Sequence, residues 1–512
     1  MCSNRSVKLR IRIFKSEFIE VKNSNFEVMI STLKNQELFK SDAFIGGKWV
    51  ALAHRFPVTD PYSGVKLGDV SDCGTEETEN AINAASEAFK IWSKYSASKR
   101  SKILQNWRIL QLENSQDLAQ ILTREQGKSL VEATGEIKYG ASYVEWFSEE
   151  AKRVYGDVIP SNDTSKRITV IKQPVGVVGA ITPWNFPSAM ITRKVSPALA
   201  AGCTVVLKPS ELTPFSALAL AVLAEKAGIP PGVFNVVPSN QAQEVGEVLT
   251  SHKTVKKISF TGSTAVGKLL LGQSASTVKR VSMELGGNAP FIVFSDADLD
   301  LAVKQIISSK FRNSGQTCVC TNRVFVHESK HDEFLEKFKV AMFGLKVGSG
   351  LDEGVNIGPL VEKKAADSVK SLIADAREKG AEILQKPLEA DHELMVSPTI
   401  LTGVNKEMRV YREEIFGPVA PIFTFSTEEE VLTMANDTDF GLAAYFFGKD
   451  YAQIWRVSEA LEYGMVGINT GVLSSVMAPF GGVKESGFGR EGSKYGIDDY
   501  LNIKYMCWAE VK

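Results

Sequence analysis

The middle of the chain alternates short apolar runs with longer segments of helical period. GVVGAITP (176–183), TVVLK (204–208), FNVV (234–237), KKISFTG (256–262) and PFIVF (290–294) read as strands buried on both faces. A helix is expected between the second and third runs, with Thr213 as cap and Pro214 in its first position. Gly228 stops it, and Pro230 and Pro231 follow. Leu299, Ala302, Val303, Ile306 and Ile307 mark the apolar face of a second helix, for which Asp296 is placed as cap. RVFVH (323–327) then predicts a strand. Strand, helix and strand in succession imply an α/β fold with a parallel sheet between helices. VKLRIRIF, near the start, alternates like a strand, and no internal repeat or low-complexity tract is present.

Bulk properties narrow the class. The 512 residues suggest roughly two to four domains, and 44 % hydrophobic with 23 % charged residues is ordinary for a globular protein. A net charge of −1 gives no reason to expect nucleic acid or a membrane as partner. No apolar run reaches the roughly 18 residues of a spanning helix. Arg5, Lys8, Arg10, Arg12 and Lys15 precede the first acid, Glu17, a composition that suits a mitochondrial transit peptide, although Glu20 and Glu27 follow soon after. The mitochondrial matrix is therefore the expected compartment, with the cytoplasm as the alternative. Residues 1–34 are expected to form an N-terminal extension.

Two motifs are near misses. GSTAVGKL (262–269) approaches a P-loop but ends in Leu269, which cannot ligate Mg²⁺. A phosphate site at the Gly-rich turn is still expected, because helix N-termini bind phosphate through backbone N–H groups. HESKH (327–331) spells a zinc-protease motif, but His327 ends a strand and Ser329 is placed to cap the next helix. The two rings are then not on one helix face.

The stretch FRNSGQTCVCTNR (311–323) holds Cys318 and Cys320, two of six cysteines, on a loop between a helix and a strand. It admits a metal half-site, a redox pair or a nucleophile. Metal binding would need two further ligands that no second paired motif supplies, so no metal is expected. A buried structural thiol suits Cys203 and Cys507 but not a glycine-flanked polar loop. A nucleophile needs help to ionise and donors for its oxyanion, and the upstream glycine lets backbone approach closely. Asn185 in PWNFP offers an amide at the end of a strand, where α/β folds place ligands. Glu284 in MELGGN, Glu414 in EEIFGP, and Lys208 with Glu211 in KPSE add charged groups, each of which alone fits a structural role equally well.

Taken together, PWNFP, KPSE, FTGSTAVG, ELGGN, FRNSGQTC, EEIFGPV and PFGGVKESGFGREG resemble the aldehyde dehydrogenase superfamily, in its order and spacing, from about residue 38 onward. PSAMITRKV, KFRNSGQTCVC, SSVMAPFGGVKESG and GREGSKYGIDDYL are most similar to its succinate-semialdehyde branch. The resemblance implies a Rossmann-type NAD-binding domain (35–155 and 175–286), an α/β catalytic domain (287–485) and a small β oligomerisation arm (156–174 and 501–512). It implies Cys318 as nucleophile, Asn185 as oxyanion donor and Glu284 as general base. For the cofactor it implies Trp184, Lys208, Glu211, Gly262, Ser263, Glu414 and Phe416. A carboxylate at Glu211 would accept from both ribose hydroxyls and repel a 2′-phosphate, so NAD is expected over NADP. Arg193, Arg312 and Ser474 match positions that bind the carboxylate of succinate semialdehyde, an intermediate of GABA degradation. Glutarate semialdehyde, one methylene longer, is expected to be accepted too. The resemblance also implies a redox switch between Cys318 and Cys320, and a homotetramer. Arg323 has no assigned role.

Overall fold

The computed structural model describes residues 32–388 and 392–510. The alternating segment VKLRIRIF and the basic N-terminal stretch lie outside the described residues.

Among the described residues the first sheet has eight strands. Its centre is five parallel strands in the spatial order Phe234–Val236, Thr204–Lys208, Val177–Ile181, Val255–Thr261, Arg280–Glu284. In chain order that is 3-2-1-4-5, the Rossmann arrangement, whose direction reverses between Val177–Ile181 and Val255–Thr261. Antiparallel edges come from Ala43–Ile45 with Lys48–Val50 on one side and Gly487–Phe488 on the other. The second sheet has seven strands among the described residues, with Thr321–His327 and Ala289–Val293 paired in parallel at its centre. A third, antiparallel sheet joins Leu501–Trp508, Arg167–Pro174 and Asp157–Ile159. It projects Val158, Ile503, Tyr505 and Trp508 into solvent.

Every strand expected from the apolar runs is present, with ends shifted by a residue or two. The helix caps are different. Pro214–Lys226 starts after Thr213, but the Thr213 hydroxyl caps nothing. Glu125, from another helix, accepts from Phe215 N and Ser216 N, each at 2.8 Å. A buried carboxylate thus replaces the local cap, which only tertiary packing can supply. In the helix Leu299–Lys310 the cap is Asp298, accepting from Leu301 N at 3.1 Å. Asp296 instead accepts from Lys449 N and Asp450 N at the end of a neighbouring strand. Ser329 is likewise not the cap expected, since it lies within a short turn, Glu328–Lys330, ahead of the helix His331–Phe343.

Candidate active site

The switch point of the first sheet faces the loop that carries Cys318. Two cavities meet there, and among the described residues Cys318 is the one found on the walls of both. The first, of about 320 Å³, is lined by Glu132, Tyr139, Phe186, Arg193, Arg312 and Ser474 among others. The second, of about 220 Å³, is lined by Trp184, Asn185, Gly262, Ser263, Glu414 and Phe416 among others.

Glycines let the surrounding loops touch. A Cβ on Gly287 would lie 2.6 Å from the Cys318 carbonyl oxygen, and one on Gly315 would lie 2.2 Å from that of Gly417. Gly315 also has φ +78°, in the region that favours glycine. The glycine of FRNSGQTC therefore serves contact with the IFGP loop. Asn313 and Ser314 just before it are also left-handed, at φ 52° and 56°.

Burial pushes the Cys318 thiol up to about 12; Arg193 pulls it down and Glu414 adds to the rise. The resting group is a neutral thiol, and cations in the first cavity favour its ionisation. The Cys318 N–H takes part in no backbone hydrogen bond among the described residues. Asn185 Nδ2 donates to Gln316 O at 3.0 Å, which fixes the amide beside the Cys318 loop. Glu284 ends its strand buried, and neither of its carboxylate oxygens has a hydrogen-bond partner among the described residues. Burial, then Glu491, holds it well above the usual carboxylate range. It lines neither cavity and lies against Gly481.

The second cavity suits a dinucleotide. Ser263 caps the helix Thr264–Ser274, whose N-terminus opens there with Gly262, and free N–H groups at such an end favour phosphate. Lys268, the lysine of the near P-loop, points away and pairs with Glu485 at 2.7 Å. Glu414 accepts from Gly287 N at 3.0 Å, and burial raises it to about 7. Trp184 and Phe416 meet edge-on with centroids 5.6 Å apart. Lys208 and Glu211 pair at 3.0 Å at the carboxyl end of the adjacent strand.

The two arginines differ. Arg193 is buried over the Phe480 ring, and its guanidinium is paired with Glu491, which also holds Lys194 at 2.6 Å. Arg312 lies over Phe186, with 5.5 Å to the ring centroid, and forms no salt bridge among the described residues. Cys320 is buried, and its thiol donates to Lys310 O at 3.3 Å. Cys507, taken as a structural thiol, is instead exposed on the arm, while Cys203 is buried as expected. Arg323 is fully buried and donates to the carbonyls of Met434, Asn288 and Ala435 and to the Tyr463 hydroxyl, so it ties the second sheet to its neighbours. Sequence reasoning missed Glu491, Lys128 and Glu136. Only Glu136 lies within a helix; Lys128 sits in the connection before it and Glu491 on an isolated bridge to Phe480, so no shared local pattern marked the three.

Known proteins place this geometry. The Aldehyde dehydrogenase family model matches residues 49–506. This chain belongs to the aldehyde dehydrogenase family. It is 56 % identical over 479 residues to succinate-semialdehyde dehydrogenase [NADP(+)] of Escherichia coli (strain K12), covering 93 % of this chain and 99 % of the relative. It is equally 56 % identical to 3-sulfolactaldehyde dehydrogenase of Pseudomonas putida, over 94 % of this chain and 99 % of that one. The crystal structure of succinate-semialdehyde dehydrogenase from Burkholderia pseudomallei superposes with a TM-score of 0.92 at 56 % identity, covering 93 % of this chain and 100 % of that chain. The protein is thus an aldehyde dehydrogenase with the family's NAD(P)-binding fold, and no helix among its described residues is long and apolar enough to cross a membrane.

The neutral resting thiol has a direct consequence. Without cofactor, alkylation of Cys318 by iodoacetamide should rise about tenfold per pH unit between about pH 7 and about pH 10. Peptide mapping resolves Cys318 from the exposed Cys507, and a plateau below about pH 9 would contradict the burial argument.

Proposed function

We propose that this aldehyde dehydrogenase oxidises succinate semialdehyde to succinate with NAD through covalent catalysis at Cys318. The observation that carries the proposal is Cys318 on the shared wall of two cavities, one of which holds Arg312, which forms no salt bridge among the described residues. The Cys318 thiol gives up its proton to water, and the thiolate adds to the aldehyde carbon to form a thiohemiacetal. Its oxyanion meets the Asn185 amide and the Cys318 N–H. Nicotinamide, when bound in the second cavity, supplies the hydride acceptor. Loss of hydride leaves a thioester on Cys318. Glu284 then takes a proton from the water that hydrolyses it. Its side chain must turn from Gly481 toward Cys318 to do so.

Arg312, aided by Ser474 and Arg193, would hold the remote carboxylate, since guanidinium matches carboxylate bidentately. Arg193 contributes less free charge, because Glu491 neutralises it. One more methylene changes binding by only about 1–3 kcal/mol, so glutarate semialdehyde is the second reading. Glu211 keeps one carboxylate oxygen free of Lys208 for ribose and repels a 2′-phosphate, which favours NAD. The exposed apolar residues of the third sheet suit a homotetramer, and a monomeric mass in sedimentation would contradict it. The basic N-terminal stretch suits the mitochondrial matrix, and failure of import into isolated mitochondria would count against it.

The test is NADH formation with succinate semialdehyde and propionaldehyde in parallel. The charged substrate should give the higher kcat/KM, and Arg312→Gln should raise KM for it at least about tenfold while sparing propionaldehyde. Equal effects on both aldehydes would sink the substrate assignment, and a higher kcat/KM with NADP would sink the cofactor assignment.

Glu284→Gln should keep a first turnover of NADH but lose steady-state turnover. Because a raised carboxyl yields its base form as pH increases, hydrolysis in the native enzyme should quicken with pH, and the variant should lose that dependence. An unchanged steady state would remove Glu284 from the mechanism.

Cys318 and Cys320, two residues apart, would form a strained and reducible disulfide on oxidation. Peroxide inactivation should then be reversed by a dithiol, and Cys320→Ala should not recover. Full recovery of that variant would exclude the pair.

A further inference from the structure

Hydrogen bonds, a buried ion pair and one turn of helix together form a ring that joins the Cys318 loop, the Asn185 loop and the helix Leu130–Glu150. Glu132 accepts from Asn313 N, at 3.0 and 3.2 Å to its two oxygens. Asn313 Nδ2 donates to Asn185 O at 2.9 Å and to Gln316 O at 3.2 Å. Asn185 O also accepts from Lys128 Nζ at 2.7 Å. Lys128 pairs with Glu136 at 2.6 Å, and Glu136 stands one helical turn after Glu132, which closes the ring. The second oxygen of Glu136 accepts from Ser188 N and Ala189 N, at the start of the helix that carries Arg193. The Lys128 and Glu136 side chains are 0 % and 1 % exposed.

We infer that Lys128, Glu132, Glu136 and Asn313 are positioning residues that set the alignment of the Cys318 thiol with the Asn185 amide. The inference rests on the roles proposed above for Cys318 and Asn185. Three features support it. The ring touches both loops directly, and Asn313 links them alongside the Asn185 Nδ2 bond to Gln316 O. Asn313 adopts φ 52°, a conformation asparagine tolerates better than most residues, so its amide is held where both loops can be reached. Glu132, Glu136 and Asn313 also line the substrate-side cavity rather than a remote part of the core. A buried ion pair placed there is weak as a source of stability and strong as a spacer, because neither charge can leave its partner without being stranded. Loosening the ring should therefore slow the chemical step more than it weakens binding.

The test uses two variants. Asn313→Asp keeps size and backbone preference but loses both Nδ2 donors. Lys128→Met combined with Glu136→Gln removes both charges together, so neither remains buried alone. The rate of hydride transfer in a single turnover should fall roughly 10- to 100-fold in each, as small misplacements do. KM for the aldehyde and Kd for NAD should change little. A lowered Tm with an unchanged single-turnover rate would overturn the inference, and so would a loss explained wholly by weaker binding. If the native enzyme performs no single turnover on any short aldehyde, the functional reading falls and the ring's role falls with it. A normal native rate with unaffected variants refutes the ring alone.

Discussion

Backbone contact around Cys318 is the constraint from which the rest of the site follows. The loop after Leu299–Lys310 turns through two left-handed residues and Gly315, then lies against Gly417 on one side and Gly287 on the other. A side chain at any of these glycines would push the loops apart, because the nearest atoms are main-chain oxygens or a packed valine that cannot swing aside. Cys318 is thereby wedged between two sheets. One side of it faces the Rossmann switch point and the other faces the cavity with Arg312. A nucleophile in that position can meet an aldehyde from one side and a dinucleotide from the other without either blocking the other.

Charge around the site follows from the same packing. Buried cations need buried partners, since an unpaired ion in the interior costs several kcal/mol. Glu491 answers Arg193 and Lys194, and Glu136 answers Lys128. Arg312, only partly buried, forms no such bridge among the described residues, which is why it is the cation proposed to take the substrate's carboxylate. Glu284 lies on the opposite side of this balance. Its carboxyl is buried beside another acid with no hydrogen-bond donor among the described residues, which holds it above the usual carboxylate range, and the base role proposed for it requires it to move.

The strands and the helix Pro214–Lys226 were legible because burial on both faces requires continuous apolar runs, and because proline and glycine punctuate helices locally. Local caps were not. Thr213 and Asp296 had the right chemistry at nearly the right place, yet Glu125 and Asp298 made the bonds. Arg323 shows the same limit. Its four acceptors come from residues between 35 and 140 positions away, so no window of sequence could assign it.

The sequence by itself determined the α/β class, the family and the residue types able to do the chemistry, because these depend on local pattern and on motifs read in order. Tertiary structure alone decided which of those residues share a wall, which charges are cancelled and where Glu284 rests. Those outcomes depend on contacts between segments far apart in the chain, and a contact of that kind leaves no periodicity to read. The ring through Lys128, Glu136, Asn185 and Asn313 exists only once the helix and the two loops have packed together.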